Sequence, residues 1–188
     1  IGANESTCIY VLPQIFALYT SKYPEVQISI YRNFSKKVLE KVLDNQLDFG
    51  IVTLPVNHRD LQIIPIAEDQ MGLITSPEHP LSVKNSVRLE EVIPYPIIFH
   101  KVGTTRERLK KYVSIGRGIS IVPISYIRAE MEQGTLKLVA IKNVKLVRKL
   151  GLIYRKNRYV SRACRAFLEI VEESLGPERP STQRRKSS

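Results

Sequence analysis

With 188 residues, 43% of them hydrophobic, and a formal net charge of +11, the chain is long enough for one large domain or two small ones, each with its own core. No run approaches the roughly 18 to 20 apolar residues that span a bilayer, and no basic segment followed by a short apolar one opens the chain, so neither a membrane anchor nor a signal peptide is expected. Cys8 and Cys164, the two cysteines, stand far apart without a C-x-x-C or a clustered histidine, which argues against a zinc site or a disulfide framework and fits a reduced, cytoplasmic setting.

The chain begins at Ile1 rather than at Met, which reads as a fragment boundary. The positive charge suggests an acidic partner, whether nucleic acid, an anionic small molecule or another protein. It is unevenly spread, with no Asp or Glu from Lys137 to Arg165. The plain account of such a block is a solvated basic face.

The opening Ile1-Gly2-Ala3 is a strand, and Ile9, Leu12, Phe16 and Tyr19 then recur at helical spacing up to about Ser21. Pro13 suits a first turn, so regular helix is expected only from near Val11. Val26, Ile28 and Ile30 alternate with Gln27 and Ser29 as a half-buried strand does. Ser35 is expected to cap a helix carrying Val38, Leu39, Val42 and Leu43, which Asp44-Asn45-Gln46 closes. Phe49 to Val52 is a short buried strand with Thr53 at its carboxyl end. Strand, helix, strand, helix, strand is a doubly wound α/β pattern.

The pattern then repeats. Gly72 to Thr75 is a strand, Ser86 to Val92 a short capped helix, and Pro96 to His100 a buried strand running through Lys101 into Gly103-Thr104-Thr105 and a charged helix, Arg106 to Val113. Ile119 to Val122 is a strand, and Ser125 caps a helix through Gln133 that Gly134 ends. Leu150 to Tyr154 is a further strand, and Ser161 caps a last helix with Ala163, Phe167, Ile170 and Val171 on one face. From residue 176 onward no apolar period remains, and a disordered basic tail is expected.

Asn4-Glu5-Ser6-Thr7 and Gly103-Thr104-Thr105 are the same device in two halves of the chain. Each follows a strand and opens a helix, where unpaired backbone N–H groups and the positive end of the helix dipole favour an anion. Ser and Thr there are also ordinary N-caps, so one junction alone says little. Ligands of open α/β sheets sit at the carboxyl ends of strands, and Thr53 ends a strand too.

The ordered series ANESTCIYVLPQIFALYTSKYPEVQISI, LDFGIVTLP, GLITSPEHPL, FHKVGTTRERL, GRGISIVP and LGLIYRKNRYVSRACRAFLEIV closely resembles the effector-binding domain of LysR-type transcriptional regulators, over nearly all of residues 1–175. The resemblance implies a type II periplasmic-binding-protein-like α/β fold: two Rossmann-like subdomains joined by two crossing strands, near Met71–Thr75 and Leu150–Arg155, with a ligand cleft between them. On that reading residues 1–73 with 155–175 form one regulatory subdomain, residues 74–154 the other, and residues 176–188 the tail. It implicates Asn4, Ser6, Thr7, Thr53, Gly103, Thr104 and Thr105 in holding the effector, with His100 and Lys101 near enough in sequence to line the same cleft. One departure stands out. After Val113 the family has a strand and further helix, on the order of two dozen residues by ordinary element lengths, where this chain runs straight on through Ser114; a segment missing between 113 and 114 is expected.

Other chemistry finds little support. His58, His79 and His100 lack ligand spacing, Ser6 and Ser120 lack a G-x-S-x-G elbow, Glu90 and Glu91 are adjacent on a helix surface, and GRGIS precedes a strand where a phosphate cradle precedes a helix. No catalytic group, cofactor or metal is expected. The resemblance implies the sensor of a bacterial, cytoplasmic regulator: a small, anionic or polar effector shifts the population between hinge states. DNA is then bound by an N-terminal helix-turn-helix domain outside this chain, in a homodimer or homotetramer, with no membrane partner. An extracytoplasmic solute-binding protein and an enzyme on the same fold are the competing classes.

Overall fold

The computed structural model describes residues 1–99 and 106–175, the side chains of Ser6, Arg106 and Leu175 excepted. In chain order it contains β1 (Gly2–Ala3), α1 (Glu5–Tyr10), α2 (Leu12–Lys22), β2 (Tyr31–Arg32), α3 (Ser35–Leu43), β3 (Gly50–Thr53) and the long β4 (Leu61–Thr75). There follow β5 (Ser86–Val87), α4 (Leu89–Val92), α5 (Arg106–Ser114), β6 (Ser120–Pro123), a 3-10 turn (Ile124–Tyr126) and α6 (Arg128–Glu132). β7 (Lys137–Ile141), β8 (Val147–Arg155) and α7 (Arg162–Leu175) complete it. The chain divides into two compact units, one from Ile1 to Glu68 resumed at Lys149 and the other from Asp69 to Arg148, so β4 and β8 each pass from one unit to the other.

In the first unit β1 lies between β2 and β3, parallel to both, and β8 pairs with β3 antiparallel. Two apolar layers sandwich these strands. On one face α3 buries Val38 and Val42 against Val52 and Ile153. It sits so close that a Cβ on Gly2 would stand 2.8 Å from Val38 Cγ1, and one on Gly50 2.6 Å, so both strand positions need a residue without a side chain. On the other face Leu12, Ile15 and Tyr19 of α2 meet Phe167, Ile170 and Val171 of α7 over Ala3, Phe49 and Ile51. The Phe167 ring lies 5.3 Å from that of Tyr19 and 5.2 Å from that of Phe49.

In the second unit the carboxyl half of β4 pairs antiparallel with β6 and β7, and β5 runs parallel to β7. Leu73, Leu81, Val87, Val92, Ile119 and Val139 form its core. Where the crossing strands leave this unit, Arg148 bonds Asp69 and lies over the Tyr126 ring at 5.3 Å. On the first unit's side, Lys149 pairs with Glu68 at 3.0 Å.

Several elements differ from the sequence expectation, each for a local reason. Helix begins at Glu5 rather than near Val11, because Asn4 caps it; the break at Val11 then starts a second helix with Pro13 in its first turn, where the missing N–H costs nothing. The second strand is Tyr31–Arg32 and not Val26–Ile30, since β1 offers only two residues of ladder. Phe34, not Ser35, is the N-cap of α3. Ser86 and Val87 pair with β7, which confines helix to Leu89–Val92. Of Pro96–His100, expected as a buried strand, Ile97 makes one isolated bridge to Ile119 while Phe99 is 76% exposed. The helix expected from Ser125 to Gln133 is a 3-10 turn followed by α6, with Gly134 in the left-handed region at φ 70°. β7 was not anticipated: Lys137 to Ile141 has too short an apolar alternation to stand out. Ser161 does cap α7, its Oγ accepting the Cys164 N–H at 3.1 Å. The residues 100–105 and the expected tail from 176 lie outside the described residues.

Candidate ligand-binding site

Because β1 is parallel to both neighbours, with Ala3 opposite Arg32 and Ile51, the carboxyl ends of three strands lie side by side. Each ends on a polar residue. Asn4 follows β1, and its Oδ1 accepts the Thr7 N–H at 3.0 Å and the Thr7 hydroxyl at 3.1 Å. Asn33 follows β2; its N–H donates to the Ala3 carbonyl at 3.0 Å, its Nδ2 donates to the Tyr31 hydroxyl, and its Oδ1 accepts the Phe34 N–H. Thr53 closes β3, and its N–H donates to the Ser35 Oγ at 3.2 Å.

The group is rich in neutral donors. Asn4, Asn33, Ser35 and Thr53 are all half-buried, with part of each surface open to solvent. Ser35 accepts through its oxygen and keeps its hydroxyl proton to donate, and the Thr53 hydroxyl has no hydrogen-bond partner among the described residues. α3 starts beside them with first-turn N–H groups that have no intrahelical acceptor. Two fixed charges flank these strand ends and answer each other: Glu5, in the first turn of α1, lies 3.5 Å from the Arg32 guanidinium at the end of β2.

The structure thus brings Asn4, Thr7 and Thr53 of the anticipated residues into one region of the first unit, with Ser6 in the α1 backbone between the first two. Thr7 is fully buried and both its donors serve Asn4, so it holds the cap rather than facing outward. His100, Lys101, Gly103, Thr104 and Thr105 lie outside the described residues. Asn33 and Ser35 were missed. The signal was present, since Asn33-Phe34-Ser35 is a third polar junction between a strand and a helix, but Ser35 was credited only with a cap it does not make.

The histidines described have structural tasks. His58 Nδ1 accepts the Asp60 N–H, and His79 Nδ1 accepts the Leu81 N–H at 3.1 Å while its ring packs edge-on against Tyr95. Burial holds the His79 pKa below its ordinary value. Among the described residues no three His, Cys, Asp or Glu side chains gather as a metal site would require, and no helix is long and apolar enough to cross a membrane.

The family model of the LysR substrate binding domain matches residues 1–111 and, again, residues 104–176. The chain belongs to the family of LysR substrate-binding domains. It is the effector-binding domain of a LysR-type regulator, with the two-subdomain, type II periplasmic-binding-protein-like α/β fold that the sequence resemblance implied. Among curated relatives it is 26% identical to a probable RuBisCO transcriptional regulator of Cyanophora paradoxa, over all of this chain and 67% of that protein, and 27% identical to one of Chlorokybus atmophyticus, over 94% and 66%. The chain therefore spans about two thirds of the length of the curated relatives it matches. These relatives are named as transcriptional regulators, not as solute-binding proteins. Among solved structures the LysR domain resembles in fold the effector binding domain of QuiR in complex with shikimate, with TM-score 0.80, 19% identity and coverage of 90% of this chain and 92% of that one. It likewise resembles the regulatory domain of Synechocystis PCC6803 CcmR in complex with 2-PG, with TM-score 0.82, 18% identity and coverage of 93% and 95%. The match to the Cyanophora protein extends over 218 positions against 188 residues here, so about thirty positions find no residue in this chain.

Proposed function

We propose that this LysR domain senses a small anionic or polar metabolite at the carboxyl ends of β1, β2 and β3, and that its occupancy controls transcription by a regulator of which it is one part. The observation that carries the site is the gathering of Asn4, Ser35 and Thr53 at three parallel strand ends, with hydroxyl and amide donors beside the paired charges of Glu5 and Arg32. Such donors suit carboxylate, sulfate or phosphate oxygens. Ser6 belongs to the same group, and Gly103, Thr104 and Thr105, with His100 and Lys101, complete the ligand's contacts on the family resemblance alone. The ligand acts only through a difference in affinity for two conformations of the regulator.

The regulator works in the cytoplasm, as a homodimer or homotetramer, and binds its DNA target through a helix-turn-helix domain upstream of Ile1. The share of the relatives' length left uncovered supports such a further domain. Among the described residues of the site, Asn4, Ser35 and Thr53 offer neutral donors and no paired acid and base, which favours a sensor over an enzyme. We place the missing segment within or next to α5, because the family model matches residues 104–111 twice; the roughly thirty positions of the Cyanophora protein without a counterpart here support a segment of that size.

Thermal unfolding of the domain against small anions, dicarboxylates, amino acids, sugar phosphates, shikimate and 2-PG tests the reading. A ligand at ~100 times its Kd stabilises by about 2.7 kcal/mol, a shift readily measured. The shift should vanish in Thr104→Ala and weaken in Ser6→Ala. A ligand whose affinity both variants leave unchanged would place the site elsewhere.

A further inference from the structure

The stretch from Lys137 to Arg165 contains no Asp or Glu, and the fold sorts its arginines into two kinds. Arg148 bonds Asp69; Arg155 donates to the Leu43 carbonyl at 2.9 Å; Arg158 donates to the Leu47 carbonyl at 3.0 Å and pairs with Asp48. Those three hold strands and the end of α3 in place. Arg162 and Arg165 do nothing comparable. Both are exposed on the first turn of α7, and neither guanidinium has a hydrogen bond or ion pair among the described residues.

Beside them the chain exposes aromatic surface. Tyr159 is 86% exposed and Tyr23 39%, and these two rings with Arg162 and Arg165 line an open groove of about 380 Å³ on the first unit. Glu169 is the one acidic residue in its lining. Helix stability does not account for the arginines, since cations near a helix start are unfavourable to its dipole. Nor does folding account for an almost fully exposed Tyr159, which buries little and touches no partner ring among the described residues.

The geometry points to a nucleic-acid contact: the groove holds the sugar–phosphate backbone of a DNA strand, with Arg162 and Arg165 on neighbouring phosphates and Tyr159 and Tyr23 against sugar and base. Residues three apart on a helix have Cβ atoms about 5–6 Å apart, so two guanidinium forks reach adjacent phosphates of one strand. Guanidinium binds phosphate oxygens in pairs, and base-on-aromatic stacking tolerates any sequence. An acidic peptide would engage the arginines but leave the Tyr159 ring unused, whereas the Tyr23 ring, 5.4 Å from that of Tyr19, is already packed on one side. This contact is independent of the effector site, and no specific sequence is read by it.

The test is fluorescence anisotropy of the 188-residue chain with a labelled 20-nucleotide strand of mixed sequence, and with its duplex, over a range of salt. Each phosphate contact contributes a slope of about 0.7 on single strands and about 0.9 on duplex in the logarithm of affinity against the logarithm of salt. R162Q/R165Q should therefore lower the slope by about 1.4 and about 1.8, respectively, by the same relation. Tyr159→Ala should weaken the single strand about 5-fold or more while keeping the slope. K142Q/K145Q removes the same charge from the same acid-free stretch, at exposed positions in the other unit, and should leave the slope unchanged. Equal losses in the two double variants would mean diffuse attraction and overturn the proposal, as would no binding at all. Labelled polyglutamate bound through Arg162 and Arg165, with Tyr159→Ala without effect on either ligand, would assign an acidic protein instead.

Discussion

The hydroxyl of Ser35, first residue of α3, accepts the backbone N–H of Thr53 at the end of β3 over 3.2 Å. They lie eighteen positions apart in the chain, so this bond ties the start of a helix to the carboxyl end of the strand it packs against. Ser35→Ala should lower the unfolding free energy by about 1 kcal/mol, the usual worth of such a bond. Urea denaturation would show a lower midpoint at unchanged slope. In the sensor reading the same variant should also reduce the thermal shift produced by ligand.

Asn4 presents one oxygen to two donors of Thr7, whose side chain is fully buried. Asn4→Ala removes the cap of α1 and leaves a buried hydroxyl without that acceptor, so a loss near the upper part of the 0.5–2 kcal/mol range for caps is expected. Asn4→Asp retains an oxygen at the cap and should restore most of it. A chemical-denaturation series over the three chains checks both statements; equal stability of all three would contradict the cap's importance.

Glu91 gives the fold an acid-sensitive contact. The Arg88 backbone N–H and the Lys84 ammonium, at 2.8 Å and 2.5 Å, hold its carboxyl at a pKa of about 2, below the ordinary 4.5. A lowered carboxylate pKa stabilises the fold fully above the unfolded value and is lost as pH falls through the folded one. The stability difference between the wild type and Glu91→Gln should accordingly be constant above pH 5 and shrink between about 4.5 and about 2. Melting temperatures of the two chains across that interval decide it; parallel curves would rule the contact out as a source of pH dependence.

Phe167 joins three rings, those of Phe16, Tyr19 and Phe49, and is 2% exposed. It locks α7 onto α2 and β3. Phe167→Ala should cost about 3–5 kcal/mol, whereas Phe167→Leu, which fills most of the space, should cost much less. If the alanine variant lost under 1 kcal/mol in equilibrium unfolding, the packing described for this face would be wrong.

How far the sequence could be read varies along the chain. α3 and α7 were legible because their apolar residues repeat every three or four positions over two turns or more, the pattern that one-sided burial imposes. β3 was legible as a short apolar run. The two-residue β2 and β5 were not, because so short a ladder is set by the partner strand and leaves no alternation to read. The exposed Pro96–Phe99 segment misled for the opposite reason: its apolar residues match a buried strand, yet they gain one bridge to Ile119.

The amino-acid sequence by itself determined the α/β class, the order of the longer elements and the polar residues after the first and third strands, because periodicity, caps and strand-ending Ser, Thr and Asn are local properties. Only the tertiary structure decided which of those polar residues come together. Parallel pairing of β1 with β2 and β3 sets Asn4, Asn33 and Thr53 side by side across about fifty residues of chain, and the helix following β2 delivers Ser35 to Thr53. It likewise separated the arginines of the basic stretch into those that bind carbonyls and carboxylates and the two left facing solvent. Partners of that kind are chosen by long-range packing, which no window of neighbouring residues records.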